Sequence, residues 1–264
     1  MIKQNEELMI FIVTHKIIEF YKDKNFYPIL VGAENSNLDM SVKDNFGNNI
    51  SLKNKNFCEL TALYWIWKNI NSKYIGICHY RRYFNELNKN ICNYKNINNR
   101  NIKLSKENIE SLLENYDLIL PSKYELDSTV KENYEKYHRK EDLEKIGKII
   151  KEKYENSYFQ NWDIVLNKNY LYPYNMMICK KEIFDKYCAW LFDILFELEK
   201  RIVIPNDSYQ ARVFGFLSER LMLLYIMTNK LEIKEINVTK LETTKEIFKI
   251  KIKKMIKIFL FWRK

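Results

Sequence analysis

The chain has 264 residues, of which 47% are hydrophobic, and it carries a formal net charge of +10. A chain of this length and apolar content can bury a sizeable core without disulfides or structural metals. The charge is uneven, because residues 245–264 hold eight Lys or Arg and one Glu, which leaves +3 of the +10 for residues 1–244. A nucleic-acid-binding surface over the whole body is therefore disfavoured, and we predict no nucleic-acid partner.

Cysteine usage and the N-terminus both indicate a cytoplasmic protein. Five cysteines, at positions 58, 78, 92, 179 and 188, form no Cys-x-x-Cys pair and stand among apolar neighbours. That pattern favours reduced thiols over structural zinc. The first apolar run, residues 8–13, is too short for a signal peptide or a membrane span, so we expect the chain to begin in the cytoplasm.

Strand and helix patterns alternate along the chain. Continuous apolar runs or β-branched segments predict strands at residues 8–13, 27–31, 73–78, 116–121 and 172–179. Helical spacing predicts helices at residues 56–69, 131–158, 182–199 and 209–227, the first opened by a capping box at residues 56–59. Residues 44–51 and the asparagine-rich segment 85–108 are predicted to be loops. This order predicts an α/β fold with a mostly parallel sheet, as one domain over residues 1–244 with a tail over residues 245–264.

Three polar clusters follow predicted strands: residues 14–16, residues 44–54 and residues 79–82. In open α/β sheets, ligands bind beyond the carboxyl ends of the strands, so we expect these clusters to meet in one crevice. The motif HYRRYF, residues 79–84, places two arginines there. Because a guanidinium presents a planar fork of donors that matches phosphate oxygens, Arg81 and Arg82 suit a diphosphate.

An extended strand would place His79 and Arg81 on one face and Arg82 on the other, where Arg82 could fold onto an acidic partner. The alternative is that both arginines form structural ion pairs. Thr14, His15 and Lys16 could bind a nucleobase or phosphates, or form only a solvated turn.

Asn54 and Glu59 flank the start of a predicted helix, where backbone N–H groups favour a polar ligand; helix capping is the alternative for Glu59. The predicted helix at residues 209–227 is apolar nearly all round, and it carries Arg212 and Glu219 on the same side. Charges on a buried helix need partners or a function. Glu219 is a candidate general base whose pKa burial would raise, and the alternative is an ion pair of Glu219 with Arg212 or Arg220.

Several common catalytic motifs are absent from the sequence: Asp-x-Asp, HExxH, the P-loop, GxGxxG before a helix and GxSxG. Metalloproteases, nucleoside triphosphatases, classical dehydrogenases and serine hydrolases of that type are therefore disfavoured. Cys78 and His79 are adjacent on a strand, so their side chains point to opposite faces and cannot form a nucleophile–base pair.

At HYRRYF and at residues 58–69, CELTALYWIWKN, the chain resembles a family of bacterial capsular and exopolysaccharide biosynthesis glycosyltransferases long known as a domain of unknown function. The similarity covers about residues 9–230 and includes residues 14–16, 31–33, 175–178 and 215–221. The resemblance implies a GT-A-like fold with a single Rossmann-type domain, a UDP-sugar donor, and a polyprenyl-linked or oligosaccharide acceptor. Some members are similar to galactofuranosyltransferases.

GT-A enzymes usually place an Asp-x-Asp that holds a divalent metal where this chain has His79-x-Arg81, so we predict transfer without a metal cofactor. The resemblance implies that Thr14, His15 and Lys16 lie near the nucleotide, and that Asn54 and Glu59 lie near the uridine or sugar. It places Asn175 with Glu219 near the reacting sugar. Glu219, His79 and Arg81 are the predicted catalytic residues, and Arg82, Arg212 and Arg220 complete the binding set. Asp142 and Asp207 are weaker candidates for the base, because capping explains each.

The tail repeats apolar residues every three or four positions, with lysines every four. This pattern predicts a basic amphipathic helix that attaches the enzyme to an anionic membrane surface; packing on its own domain or on a dimer partner is the alternative. Two other functions stay open from the sequence. One is a non-catalytic membrane- or nucleic-acid-binding module, and the other is a nucleotide-sugar hydrolase or pyrophosphorylase with the same crevice.

Overall fold

The computed structural model describes residues 6–85, 104–244 and 246, and the backbone of residues 91–93. The strands are, in chain order, β1 (Leu8–Thr14), β2 (Phe26–Leu30), β3 (Tyr74–His79), β4 (Arg82–Phe84), β5 (Ile91–Asn93), β6 (Leu118–Pro121), β7 (Tyr124–Glu125), β8 (Tyr170–Leu171), β9 (Met177–Lys180), β10 (Ile233–Ile236) and β11 (Val238–Glu242). The helices are α1 (Asn54–Phe57), α2 (Leu60–Asn69), α3 (Lys106–Asn115), α4 (Val130–Tyr137), α5 (Lys140–Tyr154), α6 (Gln160–Leu166), α7 (Lys181–Arg201) and α8 (Val213–Asn229).

The central sheet has the order β2-β1-β3-β9-β6-β10, and β4, β11 and β5 extend it from the end of β3. Strand β1 pairs in parallel with β2 and β3, and β6 pairs in parallel with β10. Strand β9 runs antiparallel between β3 and β6. The sheet is thus mostly parallel, as predicted, with one reversed strand at its centre.

Strand β1 is buried at every position because both faces of the sheet are covered. Met9, Phe11 and Val13 join the larger core, which also contains residues of α2, α5, α6, α7 and α8. Leu8, Ile10 and Ile12 join the smaller core beside α3. This alternation explains why the run has no polar residue, since each face meets an apolar layer.

Helix α8 is buried on nearly all sides, as its apolar sequence predicted. Its neighbours α1, α6 and α7 all contact it. Within the ranges given above, we find no helix long and apolar enough to cross a membrane.

Three local predictions were wrong. The chain does not stay extended through HYRRYF: it turns at Tyr80 and Arg81, so that β3 and β4 form a hairpin in which His79 pairs with Arg82. The capping box at residues 56–59 does not form, because Cys58, with φ of 53°, separates α1 from α2. The strand predicted from residue 172 begins only at Met177, after two residues with positive φ.

The long helix predicted at residues 131–158 is divided into α4, α5 and a π-helical turn, Glu155–Phe159. Of the predicted loop at residues 85–108, residues 91–93 form a strand and α3 begins at Lys106. The predicted tail, residues 245–264, lies outside the described residues except for Glu246.

Candidate active site

A crevice of about 570 Å³ opens at the carboxyl ends of β1 and β3 and beside the first turns of α8. This volume falls within the roughly 300–1,000 Å³ typical of small-ligand sites. Nine of the predicted site residues line it: Thr14, His15, Asn54, Glu59, His79, Arg81, Arg82, Arg212 and Glu219. The parallel strands β1 and β3 bring residues 14–15 and 79–82 together, because their carboxyl ends lie at the same edge of the sheet.

Three predicted residues do not line the crevice. Lys16 is exposed on the turn after β1, and Asn175 is buried behind the crevice wall. Arg220 is buried and faces a separate cavity that adjoins Glu219.

His79 ends β3 and holds the loop between β8 and β9. Its Nε2 lies 2.6 Å from the carbonyl oxygen of Tyr174, and because a carbonyl can only accept, Nε2 donates this bond. Burial lowers the pKa of His79, so the ring is neutral at physiological pH. His79 therefore orients the loop that carries Tyr174 and contributes no positive charge.

Arg82 lies on the same side of the hairpin as His79 and stacks on Tyr174, with the guanidinium carbon 4.3 Å from the ring centre. The acidic partner expected for Arg82 is not observed among residues 6–85, 104–244 and 246. Its Nε is buried without a hydrogen-bond partner in the same part of the chain. A guanidinium that is partly desolvated and forms no salt bridge favours an anionic ligand, because the ligand would supply a charge partner in direct contact.

Arg81 occupies the turn itself, and its Nη2 lies 3.8 Å from a carboxylate oxygen of Glu246. Both side chains are about one-third exposed, so this ion pair is weak and solvent-screened. Arg81 thus forms the kind of ion pair that the sequence left open as an alternative, but the pair is a weak one at the surface. A diphosphate in the crevice would compete with Glu246 for Arg81.

Tyr174 and Asn175 form a strained loop, with φ values of 78° and 51°. A non-glycine residue in this conformation costs about 1–3 kcal/mol and persists only where its surroundings fix it. Here the backbone N–H of Tyr174 donates to Glu219 Oε1 at 2.7 Å, and Asn175 Nδ2 donates to Glu59 Oε1 at 2.7 Å. The hydroxyl of Ser218 donates to Asn175 Oδ1 at 2.9 Å. Asn175 therefore positions Glu59 and the loop.

Glu219 lies on α8, where its carboxylate faces the crevice. Its Oε2 is 3.2 Å from Arg220 Nη1, so of the two ion pairs considered from the sequence the one with Arg220 forms. Arg212 instead donates through Nε to the sulfur of Cys58, at 3.3 Å. Burial raises the pKa of Glu219 despite the opposing charge of Arg220 and the hydrogen bond from Tyr174. A carboxylate with raised proton affinity beside a ligand crevice is suited to accept a proton.

Asn54 has a mainly structural role, although it lines the crevice. Its Nδ2 donates to the carbonyl oxygen of Cys58 at 2.7 Å and to the hydroxyl of Thr61 at 3.1 Å. These bonds hold Cys58 in its positive-φ conformation. Gly32, with φ of 63°, passes so close that an added Cβ would lie 2.8 Å from Asn54 Oδ1. Glycine is needed there both for the backbone angle and for the space.

The segment after β1 forms a tight turn. Thr14 Oγ1 donates to the carbonyl oxygen of Lys16 at 2.7 Å and accepts from its backbone N–H at 3.0 Å. His15 then lies edge-on to Tyr80, with ring centres 5.2 Å apart. Partial burial, together with the positive charges of Lys16, Arg81 and Arg212, lowers the pKa of His15. This crowding of cations around His15 indicates a positive potential at the mouth of the crevice.

The expected ligand loop at residues 44–54 is mostly structural. Asp44 is fully buried, and its Oδ2 accepts from the backbone N–H of Gly32 at 2.9 Å and from the hydroxyl of Thr61 at 2.6 Å. Its Oδ1 accepts from the backbone N–H of Ala33 at 3.0 Å and from the hydroxyl of Ser51 at 2.5 Å. With four donors bound, Asp44 has no capacity left for a ligand.

The sequence matches the family model described as Domain of unknown function (DUF4422) over residues 9–230. The chain belongs to this family. A solved structure described as the WbbM bifunctional glycosyltransferase in its apo form is also similar, with 29% sequence identity and a TM-score of 0.81. The match covers 90% of this chain and 46% of that protein, so the chain spans less than half of it. No curated protein matches the chain.

The shared fold confirms the expected α/β domain of the GT-A type for this DUF4422 protein. Of His79 and Arg81, the two residues at the metal position that the resemblance implies, only His79 has an atom that could bind a metal ion. His79 is turned to a backbone carbonyl, and the guanidinium of Arg81 cannot act as a ligand because it has no free lone pair. Over residues 6–85 and 104–244, no group of three or more His, Cys, Asp or Glu side chains could hold a metal ion.

The two weaker candidates for the base have structural roles in this DUF4422 chain. Asp142 forms a two-point ion pair with Arg139, at 2.7 and 2.9 Å. Asp207 accepts from the backbone N–H groups of Tyr209 and Gln210. Neither lines the crevice.

Sequence reasoning missed Tyr174 and Cys58. The sequence Pro-Tyr-Asn at residues 173–175 is a turn signal that could have identified Tyr174, although it falls within the segment that predicts a strand. Nothing in the sequence marks the positive φ of Cys58. Burial raises the pKa of its thiol to about 11, so Cys58 is no nucleophile at physiological pH.

Proposed function

We propose that this protein transfers a sugar from a UDP-sugar donor to the saccharide acceptor of a growing surface polysaccharide. Family membership and the 29% identity to a bifunctional glycosyltransferase support the reaction class. The observation that carries the proposal is that one crevice contains both Arg82, which forms no salt bridge with a described carboxylate, and the partly buried carboxylate of Glu219. Sugar transfer from a nucleotide needs a charge partner for the departing diphosphate and a base for the acceptor hydroxyl.

In this proposal Arg82 and Arg81 bind the diphosphate of the donor. Arg82 is held in place by its stacking on Tyr174, so little conformational entropy is lost when the phosphate binds. Arg212 and Lys16 add positive charge at the crevice mouth, where they contribute to attracting the donor. As the bond from the anomeric carbon to the diphosphate breaks, the two guanidiniums stabilise the charge that develops on UDP.

Glu219 is the proposed base. Its ionised carboxylate accepts the proton of the acceptor hydroxyl as that oxygen attacks the anomeric carbon. The hydrogen bond from the backbone of Tyr174 fixes the orientation of this carboxylate. Tyr174 thus contacts both proposed groups. Its backbone N–H binds the proposed base, Glu219, and its ring stacks on Arg82, which is proposed to bind the leaving group.

The proposed reaction needs no divalent metal, because fixed guanidinium charge neutralises the diphosphate. The test is to treat the purified protein with EDTA and to measure transfer before and after. We expect activity to be retained; complete loss of activity that Mn²⁺ restores would contradict this part of the proposal.

Galactofuranose is the sugar we propose first, because some family members resemble galactofuranosyltransferases. Incubation with a panel of UDP-sugars, with and without a polyprenyl-linked saccharide acceptor, tests both the donor and the reaction. UDP release that requires the acceptor, together with a glycosylated acceptor, supports transfer. UDP release at an equal rate without any acceptor indicates a hydrolase instead, and no turnover and no UDP binding at all would overturn the proposal.

We also propose that residues 245–264 hold the protein on the anionic inner face of the plasma membrane. The described chain enters this segment beside the crevice, since the backbone N–H of Leu241 donates to the carbonyl oxygen of Arg81 at 2.8 Å. A membrane-bound tail would therefore keep the crevice near a lipid-linked acceptor. The seven net positive charges of the tail favour anionic lipid.

Sedimentation with phosphatidylglycerol vesicles tests the membrane proposal, with phosphatidylcholine vesicles as the control. We compare the full chain with a variant in which Lys249, Lys253 and Lys257 are each replaced by Glu. We expect the variant to lose binding to the anionic vesicles. Equal bound fractions for the two proteins would rule out this mode of attachment.

A further inference from the structure

A second cavity adjoins the crevice at Glu219. It has a volume of about 350 Å³ and lies between α4, the β7–β8 pair and α8. Glu219 lines both cavities, so its side chain forms part of the wall between them. Two ligands bound in the two cavities would therefore both approach the same carboxylate.

The charged residues of the two cavities differ in balance. The crevice is lined by four Lys or Arg residues and two Glu residues, which suits an anionic ligand. The second cavity has two basic residues, Lys136 and Arg220, and two acidic residues, Asp127 and Glu219. A ligand of this cavity is therefore expected to be neutral and polar, since neither sign of charge dominates its wall.

Two tyrosines dominate the open side of the second cavity. Tyr124 is 61% exposed and Tyr137 is 53% exposed, although large aromatic side chains usually bury most of their surface. A tyrosine offers an apolar ring face and a hydroxyl, which matches a ligand that has both C–H faces and many hydroxyls. The hydroxyl of Ser128 and the amide of Asn133 add hydrogen-bonding groups to the wall.

Arg220 organises the inner end of the cavity. It is 4% exposed, and it donates to the carbonyl oxygen of Phe216 at 2.9 Å and to Asn133 Oδ1 at 3.1 Å. Its Nη1 also lies 3.2 Å from Glu219 Oε2. Its Nε is buried and finds no hydrogen-bond partner in the described part of the chain. The cavity wall therefore contains a buried cation that fixes both the proposed base and an amide side chain.

We infer that the second cavity binds the acceptor, as a neutral saccharide whose terminal sugar lies between Tyr137 and Glu219. This inference rests on the proposed sugar transfer. The acceptor oxygen forms a bond to the anomeric carbon of the donor, and its proton passes to Glu219. The bond between that carbon and the diphosphate oxygen breaks, and its electron pair leaves with UDP. The separation of the two cavities lets the hydroxyl approach from a side that the diphosphate does not occupy.

The test compares Tyr137→Ala with Phe46→Ala. Tyr137 is exposed and lines the cavity, whereas Phe46 is an 81% exposed aromatic residue that lines neither cavity. Saturation-transfer NMR with octyl β-glucoside and octyl β-galactoside measures saccharide binding directly. We expect binding to weaken by about tenfold in Tyr137→Ala, and to be unchanged in Phe46→Ala.

Calorimetry with UDP separates this inference from the proposed function, because UDP binding needs only the crevice. We expect the Kd of UDP to be the same in the wild-type protein and both variants, and we expect saturating UDP not to displace the glycosides. Failure of the wild-type protein to bind either glycoside, equal glycoside binding by wild-type and Tyr137→Ala, or displacement by UDP would each overturn the acceptor assignment. Glycoside binding that depends on Tyr137 in a protein that binds no UDP would instead contradict the proposed donor.

Discussion

The polar residues that follow β2 and those that follow β3 both lie at carboxyl ends of parallel strands. In the first group the protein satisfies the charge of Asp44, and in the second no described carboxylate pairs with Arg82. Around Asp44, a closed cluster forms with Gly32, Ala33, Ser51 and Thr61, and all four donors point inward to the carboxylate. Around Arg82, an open cluster forms with His79, Tyr174 and Glu219, in which the arginine stacks on a ring and has no described carboxylate partner.

This difference shows that a polar residue at the carboxyl edge of the sheet is not necessarily able to bind a ligand. Both clusters occupy the edge at which α/β proteins bind ligands. In the closed cluster, the fold itself satisfies the charge, so that Asp44 stabilises the loop. In the open cluster, a cation is held in place without a salt bridge to a described carboxylate, so that a bound anion can supply one.

The largest effect is expected from Glu219→Gln. This change keeps a side-chain oxygen that can accept the hydrogen bond from the backbone N–H of Tyr174, but it removes the base. We expect the rate of sugar transfer to fall about 10²- to 10⁴-fold, because proton removal then has no catalyst. The Kd of UDP, measured by calorimetry, should stay close to that of the wild-type protein. A transfer rate within about twofold of wild type would exclude Glu219 as the base, since general-base catalysis contributes far more than that.

The pH profile of the wild-type protein tests the same role. Because burial raises the pKa of Glu219 above its ordinary value of 4.5, kcat/KM should rise with pH through that raised pKa and fall on the acid side of it. The base acts only when deprotonated, which sets this sign. In Glu219→Gln this acid limb should disappear from the profile.

The next effect is expected from Arg82→Ala. Loss of a charge-assisted contact of about 1.5–3 kcal/mol predicts that UDP binds about 10- to 150-fold more weakly. Thermal unfolding should change little, because Arg82 makes no ion pair with a described carboxylate. Arg201→Ala is the control: it removes the same charge from surface ion pairs with Glu152 and Glu197, outside the crevice lining, and should leave UDP binding unchanged. Equal UDP affinity in Arg82→Ala and wild type would show that the open cluster does not bind the diphosphate.

For the closed cluster, Asp44→Asn should reduce stability more than binding. The amide cannot accept four hydrogen bonds from these donors, so we expect the free energy of unfolding to fall by roughly 3 kcal/mol. Urea denaturation measures this, with Asp39→Asn as the control, because the Asp39 side chain is 95% exposed and pairs with Lys43 at the surface. UDP affinity measured at low temperature should be close to normal. A strong loss of UDP affinity with unchanged stability would reverse the roles assigned to the two clusters.

The smallest expected effect is a change in the pKa of His15 when UDP binds. In the free protein, burial and three neighbouring cations lower this pKa, and a diphosphate would offset those charges. The pKa of His15 should therefore rise on addition of UDP, as measured by NMR titration of the imidazole signals. His138 provides an internal control, since burial lowers its pKa to about 4 and it lies outside the crevice. A rise at both histidines would indicate a general effect.

The sequence by itself determined the architecture, because β1 and the other strands are marked by apolar runs that sheet burial requires. Four of the five predicted strands appear with ends shifted by at most two residues. The sequence also indicated the crevice, since residues 14–15 and 79–82 follow strands whose parallel pairing brings them together. These features depend on the pattern of apolar residues and on the order of strands and helices, both of which can be read from the local sequence.

Only the tertiary structure decided which polar residues are free to bind. Asp44 and Arg82 look alike in sequence, as charged residues of polar clusters that follow strands. In the structure, donors from other segments surround Asp44, and an aromatic ring from the β8–β9 loop covers Arg82. The strained backbone of Tyr174 and Asn175 likewise depends on Glu219 and Glu59, which lie far away in the chain. Hydrogen-bond satisfaction is a property of contacts between remote segments, so no local pattern could have predicted it.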